Sequence, residues 1–218
     1  MRVAIAILNW NGKALLEKFL PDVIKYSRGI ADVYVIDNNS ADGSVEFLTS
    51  KFTLVKVIQN IDNYGFAKGY NKGLKQINAD YFVLLNSDVQ VTENWIQPVI
   101  ALMESDKTIA ACQPKLLNYN IRDEFEYAGG AGGFIDKWGY PFCRGRIFNS
   151  FEKDTGQYND TREIFWASGA CLFIRAKNYF EAGGLDEDFY MHMEEIDLCW
   201  RIRNLGYKVF YCAQSAVY

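Results

Sequence analysis

Four times between Val3 and Leu117, a short apolar run gives way to a segment with helical spacing, and this alternation limits the chain to few architectures. Val3 to Leu8 reads as the first strand. Lys13 to Tyr26 follows, with Leu15, Leu16, Phe19, Leu20, Val23 and Ile24 on one helical face. Val33–Ile36 and a helix over Val45–Ser50 form the second pair, Leu54–Ile58 and a helix over Phe66–Ile77 the third. The last of these helices contains Gly69 and Gly73, which predicts that something packs closely against it. Phe82–Leu85, with Tyr81 before it, is an unbroken apolar run typical of a strand covered on both faces. A helix over Glu93–Met103, capped by Thr92, and a strand over Ile109–Leu117 complete the series. Strands alternating with helices in this way make a mostly parallel sheet with right-handed crossovers and helices on both faces. The fold class is α/β.

Beyond Leu117 the pattern changes. Glycines cluster at Gly129, Gly130, Gly132 and Gly133, and 118–164 has no clear period, which predicts loops and short antiparallel strands facing a substrate. Regular structure returns with a strand at Ala170–Ile174, helices at Ala176–Ala182 and Glu194–Asn204, and a strand at Lys208–Tyr211. A chain of 218 residues suits one domain, divided here into a 1–117 half and a 118–218 half.

Composition excludes several functions. Half the residues are hydrophobic, so the chain can bury a full core, and a net charge of −4 excludes a nonspecific nucleic-acid binder. No run of about 18 apolar residues is present to span a membrane. The start, Met1 to Leu8, carries one positive charge and reads as a core strand, not a signal peptide. The five cysteines form no zinc spacing or disulfide framework, so free, mostly buried thiols in a reducing cytoplasm are expected.

Polar clusters end three of the strands: Asn9-Trp10-Asn11 the first, Asp37-Asn38-Asn39 the second, and Asn86-Ser87-Asp88 the fourth. Each alone reads more readily as ordinary turn chemistry. Together they fall on one sheet edge, beyond the carboxyl ends of the strands, where open α/β sheets bind ligands. A further set of acids opens the last helix. Glu194 and Asp197 share a face, while Glu195 points about 100° away toward Leu198 and Cys199, where partly apolar neighbours would raise its pKa toward general-base use. The competing reading is a row of acids complementing the helix dipole.

These stretches, with Asn60-Ile61-Asp62-Asn63-Tyr64-Gly65-Phe66-Ala67-Lys68-Gly69-Tyr70-Asn71 and Glu194-Glu195-Ile196-Asp197-Leu198-Cys199-Trp200-Arg201, resemble the inverting family 2 glycosyltransferases of GT-A fold, in their rhamnosyltransferase and galactofuranosyltransferase-like branch. The resemblance runs in order along nearly the whole chain. It implies that Asp88 stands in the family's D-x-D motif and binds Mg²⁺ or Mn²⁺ bridging a diphosphate, with Asn86 in place of the first acid and turned to the nucleotide. It implies that Asp37 accepts a hydrogen bond from a pyrimidine N–H, with Asn9, Trp10, Gly65, Phe66 and Asn71 completing the site for a UDP- or dTDP-sugar. Glu195 matches the catalytic base, usually Asp. Trp166, Gly169, Glu194 and Asp197 fall where the acceptor is held, a glycan or lipid-linked glycan, which would place the enzyme in the cytoplasm, peripherally at the inner membrane face. A core role for Trp166 is equally compatible with its type. His192 is expected to be structural, since a histidine ligand normally has close companions. The family's metal-ligating histidine follows its last strand, so the resemblance also implies a catalytic domain trimmed at its C-terminus. Two other readings stay open: a sugar-1-phosphate nucleotidyltransferase, which lacks its usual phosphate cradle here, and a catalytically silent nucleotide- or glycan-binding module.

Overall fold

The computed structural model describes residues 1–189 and 191–218. In chain order the elements are β1 (Val3–Asn9), α1 (Lys13–Ser27), β2 (Asp32–Asp37), α2 (Ser44–Lys51), β3 (Lys56–Gln59), α3 (Gly65–Leu74), β4 (Tyr81–Leu85), α4 (Gln97–Ser105) and β5 (Ile109–Leu116). There follow β6 (Gly133–Ile135), β7 (Pro141–Cys143), β8 (Arg146–Ile147), β9 (Ser150–Phe151), β10 (Arg162–Ile164), β11 (Cys171–Arg175), α5 (Ala176–Glu181), α6 (Glu194–Asn204) and β12 (Lys208–Val217).

Eight strands form one sheet in the order β10-β12-β5-β11-β4-β1-β2-β3. β1 pairs in parallel with both β2 and β4, so the chain reverses its direction of travel across the sheet beside β1. That reversal opens a crevice at the carboxyl ends of β1 and β4. Strands from 1–117 and from 118–218 share this one sheet. β11, from the second half, lies antiparallel between β4 and β5, and β12 pairs in parallel with β5.

Both faces of the sheet are buried, as the unbroken apolar runs require. Along β1, Ala4 and Ala6 join one core with Phe82 and Leu84 of β4, while Val3, Ile5 and Ile7 join the other with Val83 and Leu85. The alanine side is where α3 lies. Added Cβ atoms at Gly69 and Gly73 would collide with Asn38 and Ile36, so the two glycines are what let the helix seat against β2. Between them Tyr70 is fully buried, its hydroxyl within hydrogen-bond reach of the Ala6 and Leu85 carbonyls.

Several boundaries differ from the sequence reading. Thr92 does not cap a helix; its hydroxyl donates to the Ala216 carbonyl (2.7 Å), and Val91 bridges Val217, so the chain is held against β12 before α4 begins at Gln97. This tie also carries β12 on to Val217, well past Tyr211. β3 is displaced toward Gln59, and α3 stops at Leu74. Within 118–164 the short antiparallel pairs β6–β7 and β8–β9 do form. All five cysteines are free, and four are buried.

Candidate active site

The rim is knitted together by the polar residues that end β1 and β2. Register sets Asn9 level with Asp37, and the Asn9 Nδ2 donates to Asp37 Oδ1 (2.8 Å). The Ser40 hydroxyl donates to the same oxygen (2.7 Å) and accepts from Asn9 Nδ2 and the Asn11 amide. Asn38 reaches the other way, donating to the Gly65 carbonyl (2.9 Å) and accepting from Asn60 (2.8 Å). Three loops thus hold one another in place. Trp10 remains 57% exposed above them, and Phe66 lies beside Gly65 at the start of α3, half-buried.

Asp37 itself is only 1% exposed, and Ser40 donates to both its oxygens, through its hydroxyl and its amide. It organises the turn. Its Oδ1 accepts from Asn9 and the Ser40 hydroxyl, while Oδ2 accepts only from the Ser40 amide and keeps acceptor capacity.

Across the crevice stands the end of β4. The Asn86 amide donates to the Ala170 carbonyl (3.0 Å), which joins this end to the start of β11, and Ser87 lies close to Gly12 in the loop after β1. Asp88 follows, with an exposed side chain. Its charge reaches Glu126, a residue no motif singled out, whose carboxyl is pushed up by burial and further by Asp88.

Glu195 enters from the other side of the same rim. Its side chain packs beside Gly169, one residue before the Ala170 that Asn86 contacts. The approach is strained: His192 and Met193 have φ of +73° and +75°, a left-handed pair without glycine. Such residues cost about 1–3 kcal/mol each and persist where surrounding structure enforces them. Burial pushes the Glu195 carboxyl above the usual carboxylate range, and the adjacent Glu194 charge adds to this. Glu194 is raised by burial as well. One oxygen of each, and Asn9 Oδ1 across the crevice, is buried without a hydrogen-bond partner. Orphaned acceptors at a strand-end crevice are a mark of a site built for a ligand.

Outward from Glu195 opens a cavity of about 760 Å³ walled by Tyr127, Phe142, Ile147, Phe148 and Trp166 with His192. Trp166 is mostly core: it is 5% exposed, packs on Gly133 and donates its indole N–H to the Phe134 carbonyl (2.8 Å), leaving part of its ring to line the cavity.

Three anticipated contacts lie elsewhere. Asn71 is spent pinning the 185–187 turn to α3, donating to the Leu185 carbonyl (2.8 Å) and accepting from Tyr179 (2.6 Å). Asp197 binds Arg201 (2.6 Å) one helical turn on, and Arg201 lines a different cavity, with Asn71. Glu194 is 4% exposed and does not line the cavity that Glu195 faces. The helical geometry explains both acids, since a residue three along from Glu194 shares its face and turns away from the cavity that Glu195 faces.

Metal coordination by protein alone is not offered: among the described residues no three His, Cys, Asp or Glu side chains are grouped to hold an ion. A single exposed carboxylate does suit Mg²⁺ or Mn²⁺ completed by diphosphate oxygens and water.

The model of the family described as glycosyl transferase family 2 matches residues 4–179, which takes in all three strand-end clusters and the insertion. The chain belongs to that family. Relatives of this glycosyltransferase include N-acetylglucosaminyl-diphospho-decaprenol L-rhamnosyltransferase of Mycobacterium tuberculosis, 23% identical over 93% of this chain and 70% of the relative. Another is the low-salt glycan biosynthesis hexosyltransferase Agl10 of Haloferax volcanii, 24% identical over 96% of this chain and 64% of the relative. In fold it is a GT-A glycosyltransferase. It is similar to GalNAc-T7 solved with UDP, GalNAc and Mn²⁺ (TM-score 0.77, 18% identity, 100% of this chain, 43% of that one). A second similar structure is Staphylococcus aureus TarS 1-349 with UDP-GlcNAc (TM-score 0.71, 15% identity, 100% and 58%).

Sequence reasoning missed Arg146, Tyr127, Phe142 and Phe148, which share the cavity with Glu195. Phe142 and Arg146 sit on three- and two-residue strands and Tyr127 and Phe148 in turns, none of which leaves a periodic signal.

Proposed function

We propose that this family 2 domain is a metal-dependent, inverting glycosyltransferase. It moves a sugar from a UDP- or dTDP-sugar to a hydroxyl of a glycan or lipid-linked glycan in polysaccharide synthesis, peripherally at the cytoplasmic membrane. The observation that carries this reading is Glu195: a carboxylate with a raised pKa and a free buried oxygen, facing the crevice at the end of β4. A carboxylate so placed is a suitable general base near neutral pH.

The nucleotide lies over the ends of β1 and β2, on the surface given by Asn9, Trp10 and the start of α3 at Gly65 and Phe66. Asp37 positions Asn9 and the turn at Ser40. Asn86 and Asp88 face the diphosphate, and the donor sugar sits between Asp88 and Glu195. Asp88 would hold a divalent cation, which would supply positive charge opposite the departing diphosphate. The acceptor enters through the cavity along Trp166 and past Gly169. Glu195 takes the proton from its hydroxyl as that oxygen attacks the anomeric carbon opposite the leaving group, so the configuration inverts. No protein nucleophile is needed, because an oxocarbenium-like transition state requires only the base and stabilisation of the leaving group. The rhamnosyltransferase and hexosyltransferase relatives support a hexose or deoxyhexose as the group moved.

The test pairs two variants. Asp88→Ala should abolish metal-dependent binding of UDP- and dTDP-sugars measured by calorimetry with Mn²⁺. Glu195→Gln should leave that binding intact and remove transfer. Retained metal-dependent binding in Asp88→Ala would overturn the site assignment.

A further inference from the structure

The cavity beside Glu195 holds one arginine, and that arginine is fixed before any ligand arrives. Arg146 donates from Nε to the Phe148 carbonyl and from Nη1 to the Tyr127 carbonyl (2.7 Å), and its guanidinium lies on the Tyr127 ring, 3.5 Å from the centroid. Tyr127 in turn packs on Phe151, 6.3 Å between ring centres. Two carbonyls and a ring therefore set the guanidinium plane, while Nη2 makes no hydrogen bond among the described residues. Nearby, Arg144 and Arg162 are both paired with Asp160. Arg146 has no ion pair among the described residues, although its charge is felt at Glu126. A rigid guanidinium with donors to spare is matched to a planar anion that takes two parallel N–H bonds.

The surroundings decide which anion. Tyr127, Phe142 and Phe148 line the same cavity and are 55%, 53% and 86% exposed, so aromatic faces stand open on the side of Arg146. Such faces pack against the C–H surface of a pyranose ring, and a single polar group among them fixes its orientation. Charge narrows the choice further. A phosphate monoester brings a charge of about −1.5 to −2, more than one guanidinium balances, into a cavity that already contains the Glu195 carboxyl. A sugar carboxylate brings a single charge on two coplanar oxygens, attached directly to a ring that suits the aromatic wall. A neutral sugar would leave the spare donors of Arg146 without an acceptor.

We propose that the cavity selects an acidic glycan, one that presents a uronic acid unit, with Arg146 clamping the carboxylate and Tyr127, Phe142 and Phe148 packing on the sugar rings. This deepens the functional reading above and rests on it for the use of this cavity by the acceptor. Arg146 is a specificity-determining residue in this arrangement. The carboxylate is bound and not transferred; no bond to it forms or breaks.

The test needs neither donor nor turnover, so a uronate preference would stand even if the transferase assignment failed, and its absence would leave that assignment intact. The whole chain is titrated by calorimetry with 4-nitrophenyl glucuronide, 4-nitrophenyl glucoside and 4-nitrophenyl phosphate, which share one aromatic group and differ in the anion. The glucuronide should bind about tenfold more tightly than the glucoside, since only it engages the guanidinium. Arg146→Gln should erase that preference. Arg146→Lys, which keeps the charge without the flat fork, should restore part of it, and this separates loss of charge from a disordered hairpin. Phe148→Ala, at an exposed position, should weaken glucuronide and glucoside severalfold alike and leave their ratio unchanged. Equal affinity of wild type for glucuronide and glucoside would overturn the proposal, as would a preference that survives in Arg146→Gln. Tighter binding of 4-nitrophenyl phosphate than of the glucuronide would overturn the choice of carboxylate.

Discussion

The two sides of the crevice are built in opposite ways. On the β1–β2 side nearly every polar group has a partner: Asp37, Asn38, Ser40 and Asn60 form a closed hydrogen-bonded set beneath the surface proposed for the nucleotide. On the α6 side Glu194 and Glu195 are buried with oxygens left unpartnered, behind a strained left-handed pair and beside an exposed apolar wall. A satisfied network fixes shape, whereas unsatisfied carboxylates hold free energy in reserve for chemistry. A site that must recognise one nucleotide and activate a variable acceptor gains from placing rigidity and reactivity on separate elements.

This contrast can be broken by experiment, beginning where the effect is greatest. Glu195→Gln should lower the transfer rate at least about a thousandfold, as loss of a general base does, while donor affinity stays within a factor of about two. The same variant should be more stable than wild type near neutral pH. Burial raises the Glu195 pKa on folding, so the folded state binds its proton more tightly than the unfolded chain, and the charged form costs stability as pH rises through that range. The gain in Tm should therefore be present at pH 7.5 and vanish near pH 4. A variant as stable as wild type at pH 7.5 would mean that the acid is not held at a cost. Correspondingly, wild-type transfer should fall away on the acid side at a pH above the ordinary carboxylate range.

Gly73→Ala comes next. With Ile36 in the way, α3 must shift from β2, which should cost about 1–3 kcal/mol in denaturant unfolding and weaken donor binding through the Gly65 end of the helix. Ser40→Ala should be milder. It removes the hydroxyl shared by Asp37, Asn9 and Asn11, costs about 1–2 kcal/mol, and lowers donor affinity without changing the pH profile set by Glu195. If it altered the acceptor side equally, the two sides would not be separate. Asp197→Asn should do least: it loses an i,i+4 pair with Arg201 worth about 0.5 kcal/mol and leaves turnover unchanged. A collapse of activity there would return Asp197 to the acceptor site.

Legibility in the sequence followed the same division. Asn9, Asp37 and Asn86–Asp88 each end a strand, so chain order and strand periodicity were enough to gather them on one rim. The glycines of α3 announced a close approach for the same reason, since only their own helix and the strand beneath were involved. The Asn71 contact with Leu185 depends on how α3 packs and leaves no local pattern, whereas the Asp197 pair with Arg201 is an i,i+4 spacing that the sequence already displayed. Thr92 bonded to β12 instead of capping a helix, a choice made between segments 124 residues apart.

What the sequence determined alone was the alternation of strands and helices, the crevice rim and the presence of a helix bearing Glu195, because backbone periodicity and turn chemistry act over a few residues. Which carboxylate would be buried and unpaired, and that Arg146 and an apolar wall would stand beside it, was decided only by the tertiary structure. Burial, desolvation and the meeting of short hairpins with a distant helix are properties of packing, and no single stretch of chain carries them.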